Sequence, residues 1–198
     1  MKEYTILRRP SELDWNEIPA LQINHWHKTE PMAISAQAQL CYDDDALYVR
    51  LSAVEKNIKA EYTGLLDEVS DDSCLEFFFS PIAGDKRYFN IEVNPNGAMY
   101  LGFGPDVHRL MRLIPEEPAI CPKITQTKDG WVVEYSIPYS FIRLFFPEFS
   151  PAPGASIRAN CFKCAGKGEP PHFLCWCPVP IQSCAFHNPD AFGTMYFQ

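Results

Sequence analysis

The chain has 198 residues, 14% of them aromatic, with 18 prolines, 10 glycines and a formal net charge of −8. That length suits one domain, because β-sandwiches run to about 200–250 residues as a single unit. The acidic balance and the scatter of the 17 Lys and Arg residues exclude the counterion-releasing interface that nucleic acid demands, and no stretch approaches the ~20 apolar residues of a membrane-spanning helix.

The opening residues, Met1 to Pro10, break into charge at Lys2, Glu3, Arg8 and Arg9 before a signal-peptide core could form. A cytoplasmic address is therefore expected. Period-two alternation dominates from there on. Ile34, Ala36, Ala38 and Leu40 alternate with polar partners, Asp43-Asp44-Asp45 turns the chain, and Leu47, Val49, Leu51 and Ala53 resume the pattern. This predicts a hairpin with one buried face. Strands are next predicted over 74–80, with Leu75, Phe77 and Phe79 inward, and over 87–94, with Phe89, Ile91 and Val93 inward. Asn94-Pro95-Asn96-Gly97 is a strong turn signal, and 98–103 pairs back. Residues 104–118 read as a loop. Strands follow at 120–127 and 131–137 across the Lys128-Asp129-Gly130 turn. Pro138 opens a short helix through Phe145, a position proline tolerates. Strands at 157–164, 172–177 and 193–197 close the chain. The expected fold is a single-domain (1–198), all-β, antiparallel sandwich of jelly-roll or immunoglobulin-like type with one short helix.

The face opposite each buried stripe carries the chemistry. On 87–94 it holds Tyr88, Asn90, Glu92 and Asn94; on 74–80, Glu76; on 157–164, Arg158, Asn160 and Phe162. If these strands are neighbours, one sheet face gathers carboxylate, carboxamide and aromatic groups. A sugar asks for that mixture: planar donors and acceptors for its hydroxyls and an apolar ring for its C–H face. An ordinary solvent face is richer in Lys, Glu and Thr. Trp176 and Phe186, in the loop-rich C-terminal region, are candidate ring platforms. Phe186, among His187, Asn188 and Pro189, is the better of the two.

Several of these stretches also resemble the family 9-like carbohydrate-binding domains. Asp72-Ser73-Cys74-Leu75-Glu76-Phe77-Phe78 is similar to that family's D-S-C-V-E-F-F strand. Tyr88 to Gly97 resembles the next strand and turn. Asn160 to Cys164, Pro171 to Trp176 and Phe186 to Gly193 resemble its closing motifs, in the family's order, over roughly residues 34–198. The resemblance implies a β-sandwich in the same broad superfamily as DOMON domains. It further implies a sugar end held between aromatic rings, with Glu76 as a matching carboxylate and Glu55 where an Asp is usual. Asn160 lies on the matching strand, and Phe186 takes the place of one clamping Trp. Val69 stands where the other Trp would, and Asn90 where an Arg is seen. Calcium is implied by the resemblance only, and no other cofactor is expected. The partner is then a carbohydrate, with no nucleic acid and no membrane.

Two other functions compete. Glu55, Glu76 and Glu92 could supply the carboxylate pair of a glycosidase, and Cys164 with His172 a nucleophile and base; no surrounding signature supports either. A haem module would need axial ligands from Met99, Met111, His108 or His172 on opposite sides of one pocket. The eight cysteines (Cys41, Cys74, Cys121, Cys161, Cys164, Cys175, Cys177 and Cys184) read as reduced thiols in a cytosolic chain. Cys161-x-x-Cys164 with Cys175-x-Cys177 is only loosely zinc-like, so no metal is expected there and the thiols are expected as small core hydrophobes.

Overall fold

A computed structural model describes residues 2–181 and 186–198. It contains fourteen strands: β1 (Glu3–Arg8), β2 (Leu21–Ile23), β3 (His25–Trp26), β4 (Ser35–Tyr42), β5 (Ala46–Val54), β6 (Ser73–Ser80), β7 (Tyr88–Val93), β8 (Met99–Gly104), β9 (Met111–Arg112), β10 (Lys123–Gln126), β11 (Gly130–Pro138), β12 (Ser156–Ala165), β13 (His172–Cys175) and β14 (Gly193–Phe197). The single α-helix among the described residues, α1 (Tyr139–Arg143), is shorter than the stretch 138–145 expected from sequence. The 104–118 segment is not wholly loop, since β9 pairs back onto β8.

The strands form two layers. In the first, β10, β11, β5, β4 and β2 lie side by side. In the second, β14, β12, β6, β7, β8 and β9 do so, with β13 continuing along the edge of β12 and β3 beyond it. β1 joins the two. Glu3–Ile6 pair in parallel with Thr194–Phe197 of β14, and Leu7–Arg8 then pair in parallel with Cys41–Tyr42 of β4. These are the departures from an all-antiparallel sandwich. They were hidden in sequence because a parallel pairing leaves no turn signal at its ends.

Local chemistry explains the hairpins. Asp43 accepts hydrogen bonds from the backbone N–H groups of Asp45 and Ala46 and from the Tyr48 hydroxyl, closing the β4–β5 turn. After β7, Asn94 accepts from the N–H groups of Asn96 and Ala98, while Gly97 takes a φ of +80° that a side chain would resist.

The alternating residues of both layers meet in one core: Leu40, Val49 and Leu51 from the first sheet face Phe77, Phe79, Phe89 and Ile91 from the second, with Trp131 fully enclosed. The opposite face of the second sheet is buried as well. Cys74, Phe78, Tyr88, Phe162 and Cys164 form a second apolar cluster beneath Val69, Val179, Phe186 and Phe192. The sequence reading placed a solvent-facing surface there. The run Cys74-Leu75-Glu76-Phe77-Phe78-Phe79 is nearly continuous in apolar residues, which is the mark of a strand covered on both sides.

Candidate functional site

The Asp72-Ser73-Cys74-Leu75-Glu76 segment organises the surroundings of the second sheet's outer face. Asp72 accepts from the N–H groups of Glu61 and Tyr62 and from Asn94 Nδ2, each at 2.9 Å, pinning the incoming loop to the turn after β7. Ser73 then points to the inner side, and Cys74 and Glu76 to the outer.

On that outer side a cleft of about 290 Å³ opens between loops, lined by Ser70, Asp71, Glu76, Glu92, Cys164 and Phe186, with Gly166, Phe173 and His187 completing the wall. Register sets its floor: Glu76 lies opposite Glu92 of β7 on one side and Phe162 of β12 on the other. Glu76 Oε1 accepts from Cys164 Sγ at 2.8 Å, and Glu92 Oε1 accepts from Asn90 Nδ2 at 2.7 Å. Burial pushes the Glu76 carboxyl well above its ordinary value, helped by Cys164 and Glu92. Burial also raises Glu92, to about 7, against the Asn90 hydrogen bond. Phe186 stacks on Phe162 with ring centroids 4.0 Å apart, and Phe173 meets it edge-on. Tyr88 Oη and His187 Nδ1 are 2.9 Å apart beside the cleft, and burial holds His187 down at about 4. β8 can approach this floor because Gly102 has no side chain: a Cβ there would sit 2.0 Å from Asn90 Oδ1.

Thus Glu76, Glu92 and Phe186 line a covered cleft and not an open sheet, while Asn90 and Phe162 are fully buried beneath it, one bonded to Glu92 and the other stacked under Phe186. Asn160 shares the face, yet it is fully buried and its amide is tied to backbone: Nδ2 donates to the Cys177 carbonyl, and Oδ1 accepts from the N–H groups of Cys161 and Cys177. Trp176 is corrected from ring platform to scaffold, because it packs into the inner core against Gly193. Glu55 is corrected too. It lies on the inner side, where it accepts from Trp131 Nε1 at 2.7 Å and Ser73 Oγ at 3.1 Å and pairs with the buried Lys163 at 3.1 Å. His172 Nε2 stands 2.9 Å from Lys163 Nζ and 3.6 Å from Glu55. Burial disfavours the Glu55 charge, but His172, Lys163 and Trp131 together hold it down at about 2. Together with His172, Glu55 faces a separate hollow of about 230 Å³.

The same inside–outside alternation removes the other candidates. Cys164 faces Glu76 while His172 faces Lys163, so they make no nucleophile–base pair. Cys161 belongs to the inner core and Cys164 to the outer cluster, and Cys177 and Cys175 divide likewise, so the C-x-x-C and C-x-C pairs do not converge. Cys184 lies outside the described residues. Met99 packs on the inner core, Met111 and His108 are exposed, and His172 contacts Lys163 beside a separate hollow, so the four haem-ligand candidates do not face one another across a pocket. Calcium does not fit the 43–45 turn: Asp43 is taken by two backbone N–H groups and Tyr48, and Asp44 pairs with Arg8. Among the cleft residues, Cys164, Phe173 and His187 were missed as ligand-facing groups. Period-two parity marks Cys164 once β12 is placed, whereas Phe173 and His187 enter through loop and edge geometry.

A β-sandwich with a carboxylate- and aromatic-lined cleft on the outer side of one sheet defines a carbohydrate-binding type of module. The chain belongs to carbohydrate-binding family 9, whose family model matches residues 7–197. Among solved structures, a candidate carbohydrate-binding protein from Bacteroides uniformis is similar at 24% identity and a TM-score of 0.84, over 100% of this chain and 99% of that one. A family 9 carbohydrate-binding module from Caldicellulosiruptor kristjanssonii, in complex with cellotriose, is similar at 14% identity and a TM-score of 0.73, over 100% of this chain and 94% of that one. A glucose complex of a family 9 module from the same organism gives 15% identity and a TM-score of 0.72, over 100% of this chain and 96% of that one. No curated protein matches.

Proposed function

We propose that this chain binds one sugar unit, a free small sugar or a glycan end, in the outer-face cleft, and that it does so without catalysis. The observation that carries this reading is the meeting of Glu76, Glu92 and Phe186 at one cleft. At about 290 Å³ the cleft lies at the small end of ligand pockets, ~300–1,000 Å³, which suits a single ring better than an extended chain. Glu76 and Glu92 offer acceptors, and a donor while protonated, to a pair of hydroxyls; Phe186 and Phe173 offer the apolar wall. The two roomier hollows are less suitable. One, of about 490 Å³, is lined chiefly by Leu113, Ile114, Phe141, Leu144 and Phe145, with Arg112, Glu117 and Ser140, and so offers one carboxylate and not a pair. The other, of about 580 Å³, runs along Asn57–Glu61 and lacks an aromatic platform.

Glycoside hydrolysis is disfavoured by the arrangement of the carboxylates. Glu76 and Glu92 are cross-strand neighbours on one wall, whereas a glycosidase needs carboxyl groups flanking the scissile bond.

A calorimetric and thermal-shift screen over mono- and disaccharides tests the proposal. A sugar that binds wild type should bind Glu76→Gln and Glu92→Gln about two- to tenfold more weakly, the equivalent of losing one ordinary hydrogen bond. Both substitutions keep the side-chain shape. Unaltered sugar affinity in both variants, or no binding across the screen, overturns the assignment. Phe186→Ala is a poorer probe: only 4% exposed and stacked on Phe162, it should also cost stability.

A further inference from the structure

The outer cluster contains a group of ligating side chains made of Glu76, which the sugar reading also uses, and two thiols that it does not. Cys74 and Glu76 are two apart on β6, so their side chains leave the same face of the strand. Cys164 on β12 lies in register directly opposite Cys74. The two Sγ atoms and a Glu76 carboxylate oxygen all lie within 4.8 Å of one another, and all three residues are buried.

We propose that Cys74, Glu76 and Cys164 form a binding site for a thiophilic divalent cation, zinc being the best match. Two thiolates and a carboxylate are a donor set that zinc takes at ~2.3 Å from sulfur and ~2.0–2.2 Å from oxygen. A tetrahedral ion at those distances holds its ligand atoms roughly 3.5–3.8 Å apart, so Cys164 Sγ and Glu76 Oε1, 2.8 Å apart, must open by a little under about 1 Å to admit it. Their softness argues against magnesium or calcium, which take oxygen ligands. The fourth position faces the cleft, because Cys164 and Glu76 both line it beside Glu92. On binding, the two thiols and the Glu76 carboxyl give their protons to solvent as the sulfur–metal and oxygen–metal bonds form.

Charge supports the same assignment. Two thiols and two carboxyls crowd one dry spot, and no ion pair among the described residues involves Glu76 or Glu92. The nearby ammonium, Lys163, is directed to the inner side, where it pairs with Glu55. A divalent cation is the group that would let these acids coexist in ionised form. β6 and β12 are central, mutually paired strands, so the ligand backbones are held by a continuous ladder from Arg158–Ser80 to Ala165–Ser73. Rigid strands position ligands better than loops do.

The test uses the whole chain in a Cys121→Ser background, since Cys121 is exposed and could bind metal adventitiously. Addition of Co²⁺ should develop a near-ultraviolet sulfur-to-cobalt charge-transfer band that saturates at one equivalent and disappears on adding Zn²⁺. Cys164→Ser and Cys74→Ser should each lose the band, while Glu76→Gln should weaken it. If a serine variant fails to fold, alkylation of the unsubstituted protein in mild denaturant serves instead: Zn²⁺ should slow labelling of Cys74 and Cys164 and leave Cys41 and Cys175 unaffected. Absence of a charge-transfer band, a band retained in Cys164→Ser, or zinc protection spread evenly over the thiols would each overturn the proposal. None of these readouts involves a sugar, so failure here leaves the sugar assignment standing, and the reverse holds.

Discussion

At the scale of single residues, the two buried carboxylate environments behave in opposite ways. Glu55 is ionised and held low, because a buried ammonium, an indole N–H and a hydroxyl converge on it. Glu76 lacks such partners, and burial beside Glu92 and Cys164 drives it up. The consequences for stability follow from the sign of each shift. A carboxyl at about 2 when folded and near its ordinary value when unfolded stabilises the fold fully above that ordinary value. This contribution is lost as pH falls through it toward 2. The difference corresponds to roughly 3 kcal/mol. Urea midpoints measured between pH 5 and about 2 should therefore fall more steeply for wild type than for Glu55→Gln. Equal slopes would mean that Glu55 is not held low in the native state. The variant should also start from a lower midpoint at neutral pH, because Lys163 loses its buried partner at a cost of about 3–5 kcal/mol.

Among the elements, β1 has the largest structural role for its six residues. Ile6 and Tyr4 enter the inner core, and the Tyr4 hydroxyl donates to the Pro19 carbonyl at 2.6 Å and accepts from the Leu40 N–H at 3.1 Å. More importantly, its first four residues complete the ladder of β14 and its last two that of β4, so one strand belongs to both sheets. Deleting residues 1–8 would expose the edges of β14 and β4 as unpaired templates for aggregation. The truncated chain should lose its cooperative thermal transition or precipitate on expression. A truncated protein that melts cooperatively near the wild-type temperature would show that the sheets hold together without this link. β1 was not legible beforehand, since Tyr4, Ile6 and their neighbours are followed by Arg8-Arg9-Pro10, and both its pairing partners are remote in sequence. The β4–β5 and β7–β8 hairpins were legible, because alternation and turn chemistry coincide at Asp43 and at Asn94–Gly97.

For the whole molecule, the second sheet is the middle of three layers, with the first sheet on one side and a cap of loops on the other. Trp131 and Trp176 report on the inner core, and Phe162 and Phe186 mark the capped face. With the sheets tied by β1, unfolding by tryptophan fluorescence and by far-ultraviolet circular dichroism should follow one transition, with a β-dominated spectrum, since the only α-helix among the described residues has five residues. A fluorescence change well before the loss of β signal would show that the inner core loosens ahead of the sheets.

What the sequence determined by itself was everything that rests on local periodicity and turn chemistry. That covers the all-β class, most of the strands, and which residues within each of β6, β7 and β12 share a face; that the three strands are neighbours, and so group Glu76, Asn90, Glu92 and Phe162, came from the tertiary pairing. Pattern alone does not say what lies above a face. Only the tertiary structure decided that loops carrying Val69 and Phe186 cover it, turning an open surface into a cleft. Only the tertiary structure placed Glu55 on the far side of the sheet, and Trp176 in the core against a glycine. Cysteines close in sequence, Cys161 and Cys164, were separated by the period-two geometry of a strand, while the distant Cys74 and Cys164 were brought face to face by register. The physical reason is the same throughout: alternation is written in neighbouring residues, whereas register, layer order and burial depend on contacts between segments far apart along the chain.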